Sequence, residues 1–465
     1  MTLHNFRCYR DLDITFHPRL TVLVAANGEG KTTILDALRI AFWPFVSQFD
    51  LASSAYSEPA NTIQIDDVRS IRLSDDAALN SARGIVGEMA RQLPCSVSVN
   101  CEFENKPMKW TRLRKKESKR SKTLDGSGCS DLTRLAKDAQ IMVRDLSDSP
   151  IDLPLFGYYG TGRLWQHKRL TQFRKNQTNK QSQKVRTFAY RDCLDPASSF
   201  RQFEEWFIDF YKSARAQQIQ ALEKGEDGRF DQTPYFTLIR VIQKAINTVL
   251  APLGWHDLEF SQMHDESLVL KNAQKEVFKV AQLSDGIKNM LGLVADIAYR
   301  CVLLNAHLQA NAATQTRGII MIDEVDMHLH PSWQQTVVGS LIEAFPNVQF
   351  VLTTHSPQVL TTVPSDSIRM LEKGFAHDAP PGSKGAESSR LLQRIFGVES
   401  RPLQDENTKL LLDYEQLVYA DKWPETEALQ KRTQLNNIFM GSEPKLTELD
   451  LYIENRQWEM DFEKD

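Results

Sequence analysis

Near the start of the chain apolar and polar residues alternate: Leu12, Ile14 and Phe16 interleave with Asp11, Asp13 and Thr15, the period-two signature of a half-buried strand. An unbroken apolar run follows, Leu20-Thr21-Val22-Leu23-Val24, and reads as a strand buried on both faces. After a glycine-containing loop, Ile34, Leu35, Leu38 and Ile40 recur at helical spacing, so residues 20–40 predict strand, loop, helix. Ser96 to Asn100 and Lys109 to Leu113 predict two more strands. Residues 198–250 predict helix, with Phe203, Phe207, Phe210 and Tyr211 on one face and Leu238, Val241, Ile242, Ile246 and Val249 on another. No heptad run lasts beyond three repeats, which excludes a long coiled coil. A second strand–loop–helix zone occupies residues 265–360, PPGSKG at 380–385 marks a linker, and the tail from 386 predicts amphipathic helix.

Composition changes this picture little. The chain has 465 residues, 41% of them hydrophobic and 25% charged, an ordinary globular balance that excludes disordered, fibrous and membrane-bundle classes. At roughly 100–200 residues per domain the length allows about two to four domains. Six cysteines carry no CxxC pair and no zinc spacing, so they read as reduced thiols. The N-terminus lacks the apolar core of a signal peptide and no stretch approaches the roughly 18 apolar residues needed to cross a bilayer, so the expected location is the cytoplasm.

The net charge of −4 conceals districts of opposite sign. RLRKKESKRSK, residues 112–122, holds seven Lys or Arg, and residues 167–186 hold seven more with no acid. Both stretches read as exposed loops, either a path for a nucleic-acid backbone or solvated surface. Neither interleaves aromatics, so base stacking is not expected. The last 25 residues hold eight acids against three bases.

AANGEGKTT, residues 25–33, meets three of the four specified positions of the phosphate-binding loop GxxxxGK[ST], with Ala25 replacing the first glycine. Small residues let backbone N–H groups close on phosphate oxygens, and the helix that follows adds partial positive charge. Asn27, Gly28, Glu29, Gly30, Lys31, Thr32 and Thr33 are therefore the candidate nucleotide-binding residues. Lys31 would reach the β and γ phosphates, and Thr32 would ligate Mg²⁺.

Three later segments complete a constellation. GIIMIDE at 318–324 is an apolar strand that delivers two carboxylates to its C-terminal edge. Asp323 would hold Mg²⁺, and Glu324 would orient or deprotonate the attacking water. LSDG at 283–286 precedes a helical apolar pattern, which makes Ser284 an N-cap able to offer N–H groups and a hydroxyl to an anion. FVLTTH at 350–355 is a strand whose end carries His355.

In this order, the segments resemble the ATP-binding-cassette ATPase heads of the SMC, RecF and OLD class. The opening residues LHNFRCYRDLDITFHPRLTVLVAANGEGKTTILDAL resemble the same class. The resemblance implies an α/β fold: a P-loop ATPase head with a mixed, largely parallel sheet flanked by helices, split by a helical and basic-loop insertion, with a helical C-terminal extension. The implied segments are an N-terminal lobe (1–165), an insertion (166–262), a C-terminal lobe (263–378) and a partner-docking region (379–465). It further implies ATP and Mg²⁺ as cofactors, with two heads enclosing the nucleotide in a homodimer or higher oligomer. Ser284, Asp285 and Gly286 would then act in trans on the partner's nucleotide, while Glu324 is the hydrolytic carboxylate and His355 the switch histidine.

Two departures stand out. SMC heads continue DEVDAALD, whereas this chain reads DEVDMHLHP and places His330 at the last of those positions, a form that resembles the OLD-like defence branch. The glutamine of the family's Q-loop has no assigned position, with YYGTGRLW at 158–165 its expected neighbourhood.

That segment, the lack of long arms and the tail sequences at 388–398 and 401–418 resemble PtuA-type ATPases of the Septu antiphage systems. This resemblance implies a separate HNH nuclease partner of the PtuB type. The 110 residues after His355 carry no acid cluster at a strand end, so no intrinsic nuclease is expected. A RecF-like repair ATPase acting without a nuclease, and a slow or non-hydrolysing nucleotide sensor, are the alternatives.

Overall fold

In the computed structural model, residues 1–50, 59–72, 89–103, 106–118, 121–145, 149–163, 185–196, 200–225 and 234–462 are described. The chain divides into two compact units, Met1–Leu391 and Leu392–Asp465.

The first unit is built on a six-stranded sheet. Its strands are β3 (Leu20–Val24), β9 (Leu155–Tyr159), β13 (Gly318–Ile322), β14 (Val348–Thr353), β15 (Ile368–Glu372) and β16 (Phe375–Asp378), in the order β16-β15-β3-β14-β13-β9. Strands β15, β3, β14, β13 and β9 run parallel, and β16 returns antiparallel at the edge. All five residues of β3 and of β9 are buried, as expected where helices cover both faces of a parallel sheet. Because the parallel strands share one direction, β3, β14 and β13 all release their next residues at the same edge. Ligands bind at that edge in open α/β sheets.

A second, antiparallel sheet has the order β2-β1-β6-β7-β8, from β1 (Thr2–Phe6), β2 (Tyr9–Asp13), β6 (Cys95–Phe103), β7 (Lys106–Arg114) and β8 (Leu124–Asp125). The opening alternation is thus a strand only as far as Asp13, and Phe16 lies half-buried beyond it. Two short strands, β4 (Ser70–Arg72) and β5 (Met89–Arg91), form a ribbon, and β10 (Trp255–Ser261), β11 (Ser267–Asn272) and β12 (Val277–Lys279) form a third sheet.

The first basic stretch differs from the expected exposed loop. Arg112 and Arg114 belong to β7 and are 4% and 3% exposed, alternating with Leu113 so that both arginines face inward. The cause lies in the helix Lys31–Val46, which contains Pro44. Proline has no N–H, so the carbonyl four residues earlier, on Ile40, loses its helical donor. Arg112 Nη1 donates to that oxygen at 3.2 Å, and Trp110 Nε1 donates to the next carbonyl, Ala41, at 2.7 Å. Left bare, a buried carbonyl costs about 1–3 kcal/mol. Arg114 donates to the carbonyls of Ile63, Ser118 and Ser121 and so fixes the loop that follows β7. Lys115, Lys116 and Lys122 remain exposed. The second basic stretch lies outside the described residues as far as position 184. Arg186, at its end, is tied to the carbonyls of Ile151 and Leu304.

The helices Phe200–Glu223 and Pro234–Leu250 bear out the helical pattern expected between 198 and 250, with Phe203 and Phe207 fully buried. In the second unit the helices Glu406–Tyr419, Thr426–Phe439 and Pro444–Phe462 enclose a small core of Leu411, Tyr414, Val418, Ala428, Leu435, Leu446 and Leu449. All six cysteines are free thiols. No helix among the described residues is long and apolar enough to cross a membrane.

Candidate functional site

The loop between β3 and the helix Lys31–Val46 has two glycines in left-handed backbone, Gly28 at φ 88° and Gly30 at φ 93°. Gly30 is also sterically required. A Cβ there would stand 2.6 Å from both the Cys8 sulfur and the Tyr9 hydroxyl, which close the floor of the loop. Ala25 is not among the left-handed residues, which is why a side chain is accepted where the motif usually has glycine. The loop is braced from two sides: Tyr9 donates to the Glu29 carbonyl at 2.7 Å, and the Lys373 amide donates to the Glu29 carboxylate at 3.0 Å. Asn27 and Gly28 are exposed, while Thr33 is buried beneath them in hydrogen-bond contact with Cys8.

Lys31 opens the helix, 8% exposed, and its ammonium donates to the carbonyls of Ala25 at 3.0 Å and Ala26 at 3.4 Å. Burial lowers its pKa from the ordinary lysine value, against the opposing pull of Asp323, Glu324 and Asp326. The ammonium is thus a desolvated charge facing three acids across the loop mouth, where a polyphosphate would supply the anion it lacks.

The next residue carries the decisive contact. Thr32 Oγ1 donates to Asp323 Oδ2 at 2.8 Å, joining positions 291 residues apart. Strand β14 lies between β3 and β13 and supplies the cross-brace: Thr353 Oγ1 donates to Asp323 Oδ1 at 2.6 Å and accepts from the Glu324 amide at 2.8 Å. The Asp323 amide donates to the Tyr159 carbonyl, which ties the acid pair to β9 as well. Asp323 is 3% exposed and Glu324 half-buried, the latter in left-handed backbone at φ 49°. Thr354 Oγ1 donates to Asp326 at 2.5 Å, and His355 stands exposed just beyond β14.

Asn27 to Thr33, Asp323, Glu324 and His355 therefore meet on three adjacent strand ends. Ser284 and Asp285 lie elsewhere, exposed at the start of the helix Asp285–Leu304, and the Ser284 hydroxyl makes no capping bond. Gly286 packs that helix against the turn after Glu324: a Cβ there would stand 2.4 Å from the His328 carbonyl oxygen. His330 caps the short helix Pro331–Gln334 by accepting from Ser332. In the segment 158–165, the expected neighbourhood of a Q-loop glutamine, β9 ends at Tyr159 and a short 3-10 turn follows at Thr161–Arg163, neither containing a glutamine, and residues 164 and 165 lie outside the described residues.

Thr353 and Thr354 were not singled out in the sequence, although a TTH triplet at the end of an apolar strand was visible. Arg7, in the turn of the first hairpin, pairs with Asp36 at 2.6 Å, which fastens the phosphate-loop helix to that hairpin, and with Asp67 at 2.8 Å in the turn Ile65–Asp67.

The donor set fits Mg²⁺–ATP. Thr32 and Asp323 already converge as one hydroxyl and one carboxylate, and no group of three or more His, Cys, Asp or Glu that could hold a metal occurs among the described residues. Mg²⁺ is held in this sparse way, by one or two protein oxygens with phosphates and water completing the shell. When bound, it would neutralise charge between the β and γ phosphates.

A family model described as an AAA domain matches residues 1–251, and a second AAA-domain model matches residues 170–361. The chain is 30% identical over its whole length to the retron Ec83 probable ATPase of Escherichia coli and covers 88% of that protein. It is 34% identical to the Septu protein PtuA of Bacillus mycoides over 26% of this chain and 17% of that one. The SMC head domain from Thermotoga maritima matches at a TM-score of 0.39 and 14% identity, covering 82% of this chain and 97% of that one.

Proposed function

The chain belongs to the AAA-domain family, in its SMC/RecF/OLD-like branch, and from that premise we propose that it is the ATP-hydrolysing subunit of an antiphage defence complex whose HNH nuclease is a separate protein. The observation that carries the ATPase reading is the 2.8 Å contact between Thr32 and Asp323, which brings a phosphate loop and an acidic strand end to one sheet edge.

In this reading Lys31 and the amides of residues 27–33 hold the triphosphate, while Thr32 and Asp323 hold Mg²⁺. Glu324 takes the proton of the attacking water, and Thr353 keeps its backbone in place. His355 approaches the γ-phosphate from the end of β14. Ser284 stands exposed with a hydroxyl that makes no capping bond, which suits a role on the nucleotide of a second head rather than its own. Two composite sites in a two-fold pair follow.

The C-terminal unit is the docking region for the nuclease, and the cutting is done by that partner. The exposed lysines 115, 116 and 122 contact a nucleic-acid backbone, held in shape by the buried Arg114. Likeness to a retron ATPase along the whole chain, and to Septu PtuA over 26% of it, supports the defence setting.

Purification of the tagged chain from cells that also express its neighbouring reading frames tests this assignment, with the assembly weighed by native mass spectrometry. The expected result is a complex containing at least two copies of this chain and an HNH protein. A chain that emerges alone and turns over ATP on duplex junctions would instead favour a repair ATPase.

A further inference from the structure

One turn into the helix Asp285–Leu304, Asn289 is 4% exposed, and neither its amide nitrogen nor its oxygen has a hydrogen-bond partner. Buried amides are ordinarily paired, because an unpaired donor or acceptor loses its water without compensation. Asn289 lies three residues beyond Gly286, on the same helical face. On that face the helix meets the turn after Glu324: a Cβ on Gly286 would come 2.4 Å from the His328 carbonyl oxygen and 3.8 Å from the Trp333 ring. The turn is bracketed by two non-glycine residues in left-handed backbone, Glu324 at φ 49° and His328 at φ 63°. Such backbone persists only where its surroundings hold it, and it concentrates at sites that change conformation.

We propose that Asn289 is a positioning residue of the composite site, whose amide pairs with backbone of the 324–330 turn when two heads close on ATP. The inference rests on the paired-head reading. Ser284, on the same helix, faces the partner's nucleotide, whereas Glu324, on the turn, faces the chain's own. A bond between helix and turn therefore couples the arrival of the partner's γ-phosphate to the placement of this chain's hydrolytic carboxylate. In the open head the amide is unsatisfied, so the open state bears its cost and closure relieves it. A leucine of similar volume carries no such cost in the open head and removes the bias towards closure.

The test uses Asn289→Leu and Asn289→Ala, each combined with Glu324→Gln to remove turnover from the readout. ATP affinity is measured by calorimetry and ATP-dependent pairing by sedimentation. The expected result is pairing weakened about tenfold, equivalent to about 1.4 kcal/mol, with ATP affinity within about twofold of the parent and no loss of thermal stability for the leucine variant. Unchanged pairing overturns the proposal. So does loss of ATP affinity in both variants, which would make Asn289 a packing residue. If the Glu324→Gln parent itself does not pair on ATP, the paired-head reading fails and the inference with it, an outcome distinct from a parent that pairs and variants that pair equally well.

Discussion

Lys31→Ala is expected to abolish ATP binding at cellular nucleotide concentrations while leaving the fold intact. Its ammonium sits at the mouth of the phosphate loop, donating to the carbonyls of Ala25 and Ala26. Removing one partner of a buried, hydrogen-bonded charge pair costs about 2–5 kcal/mol, which lowers affinity by roughly 30- to 4,000-fold. A pH signature accompanies the loss. Burial places the pKa of Lys31 below the ordinary lysine value, and only the ammonium attracts phosphate. Affinity should therefore fall as pH rises, and begin to fall at a lower pH than an unburied lysine would produce. Calorimetric titration of wild type across the alkaline range, with Lys31→Ala as the flat reference, checks both statements. Retained affinity in the variant would remove the phosphate-loop assignment.

Glu324→Gln should do the opposite: keep ATP and trap it. Glutamine preserves the shape and leaves the hydrogen bond from the residue-324 backbone N–H to Thr353 Oγ1 in place, so the loop, Thr32 and Asp323 are undisturbed. What is lost is the base. General-base catalysis contributes about 100- to 10,000-fold, so turnover should fall by that order while ATP affinity stays near wild type. Nucleotide that cannot be cleaved holds the heads together, and stable ATP-bound pairs should accumulate. Steady-state phosphate release, with sizing in ATP, measures both effects. If wild type also forms stable ATP-bound assemblies without turnover, the chain is a nucleotide sensor and not an enzyme.

Much of this site is written locally. Residues 20–33 carry a buried strand, two left-handed glycines and a lysine in one contiguous stretch, because the chemistry needs them consecutive. GIIMIDE is legible for a similar reason: a two-face-buried strand must be apolar, and the acids mark its end. What joins these pieces is not local. Strand β14 sits between β3 and β13, and only that order lets Thr353 bond Asp323 and the Glu324 amide together; a threonine at a strand end has no signature of its own.

The basic stretch at 112–122 overlaps the strand expected at Lys109 to Leu113 and is exposed at Lys115, Lys116 and Lys122 as expected; what composition hid is that Arg112 and Arg114 are buried. Trp110, Arg112 and Arg114 alternate with Thr111 and Leu113, a strand pattern whose inward face happens to carry long donors. Pro44, far away in sequence, is what leaves the Ile40 carbonyl for Arg112 to take, while Arg114 serves the carbonyls of Ile63, Ser118 and Ser121. Asn289 was invisible for another reason: within the amphipathic pattern after LSDG, one amide among apolar residues reads as an ordinary helical position, and only its unpaired burial sets it apart.

The central claim is that each ATP site is shared between two chains, Lys31 coming from one and Ser284 from the other. Mixing complementary variants tests it most directly. Lys31→Ala and Ser284→Arg chains, each expected to be inactive alone, are combined and ATP turnover is measured. In a mixed pair one site has both mutations, and the other takes Lys31 from the Ser284→Arg chain and Ser284 from the Lys31→Ala chain. Random pairing of equal amounts makes half the pairs mixed with one intact site each, so turnover should recover to at most about a quarter of the wild-type value per chain. No recovery at any mixing ratio, or full activity of Ser284→Arg on its own, would contradict a shared site.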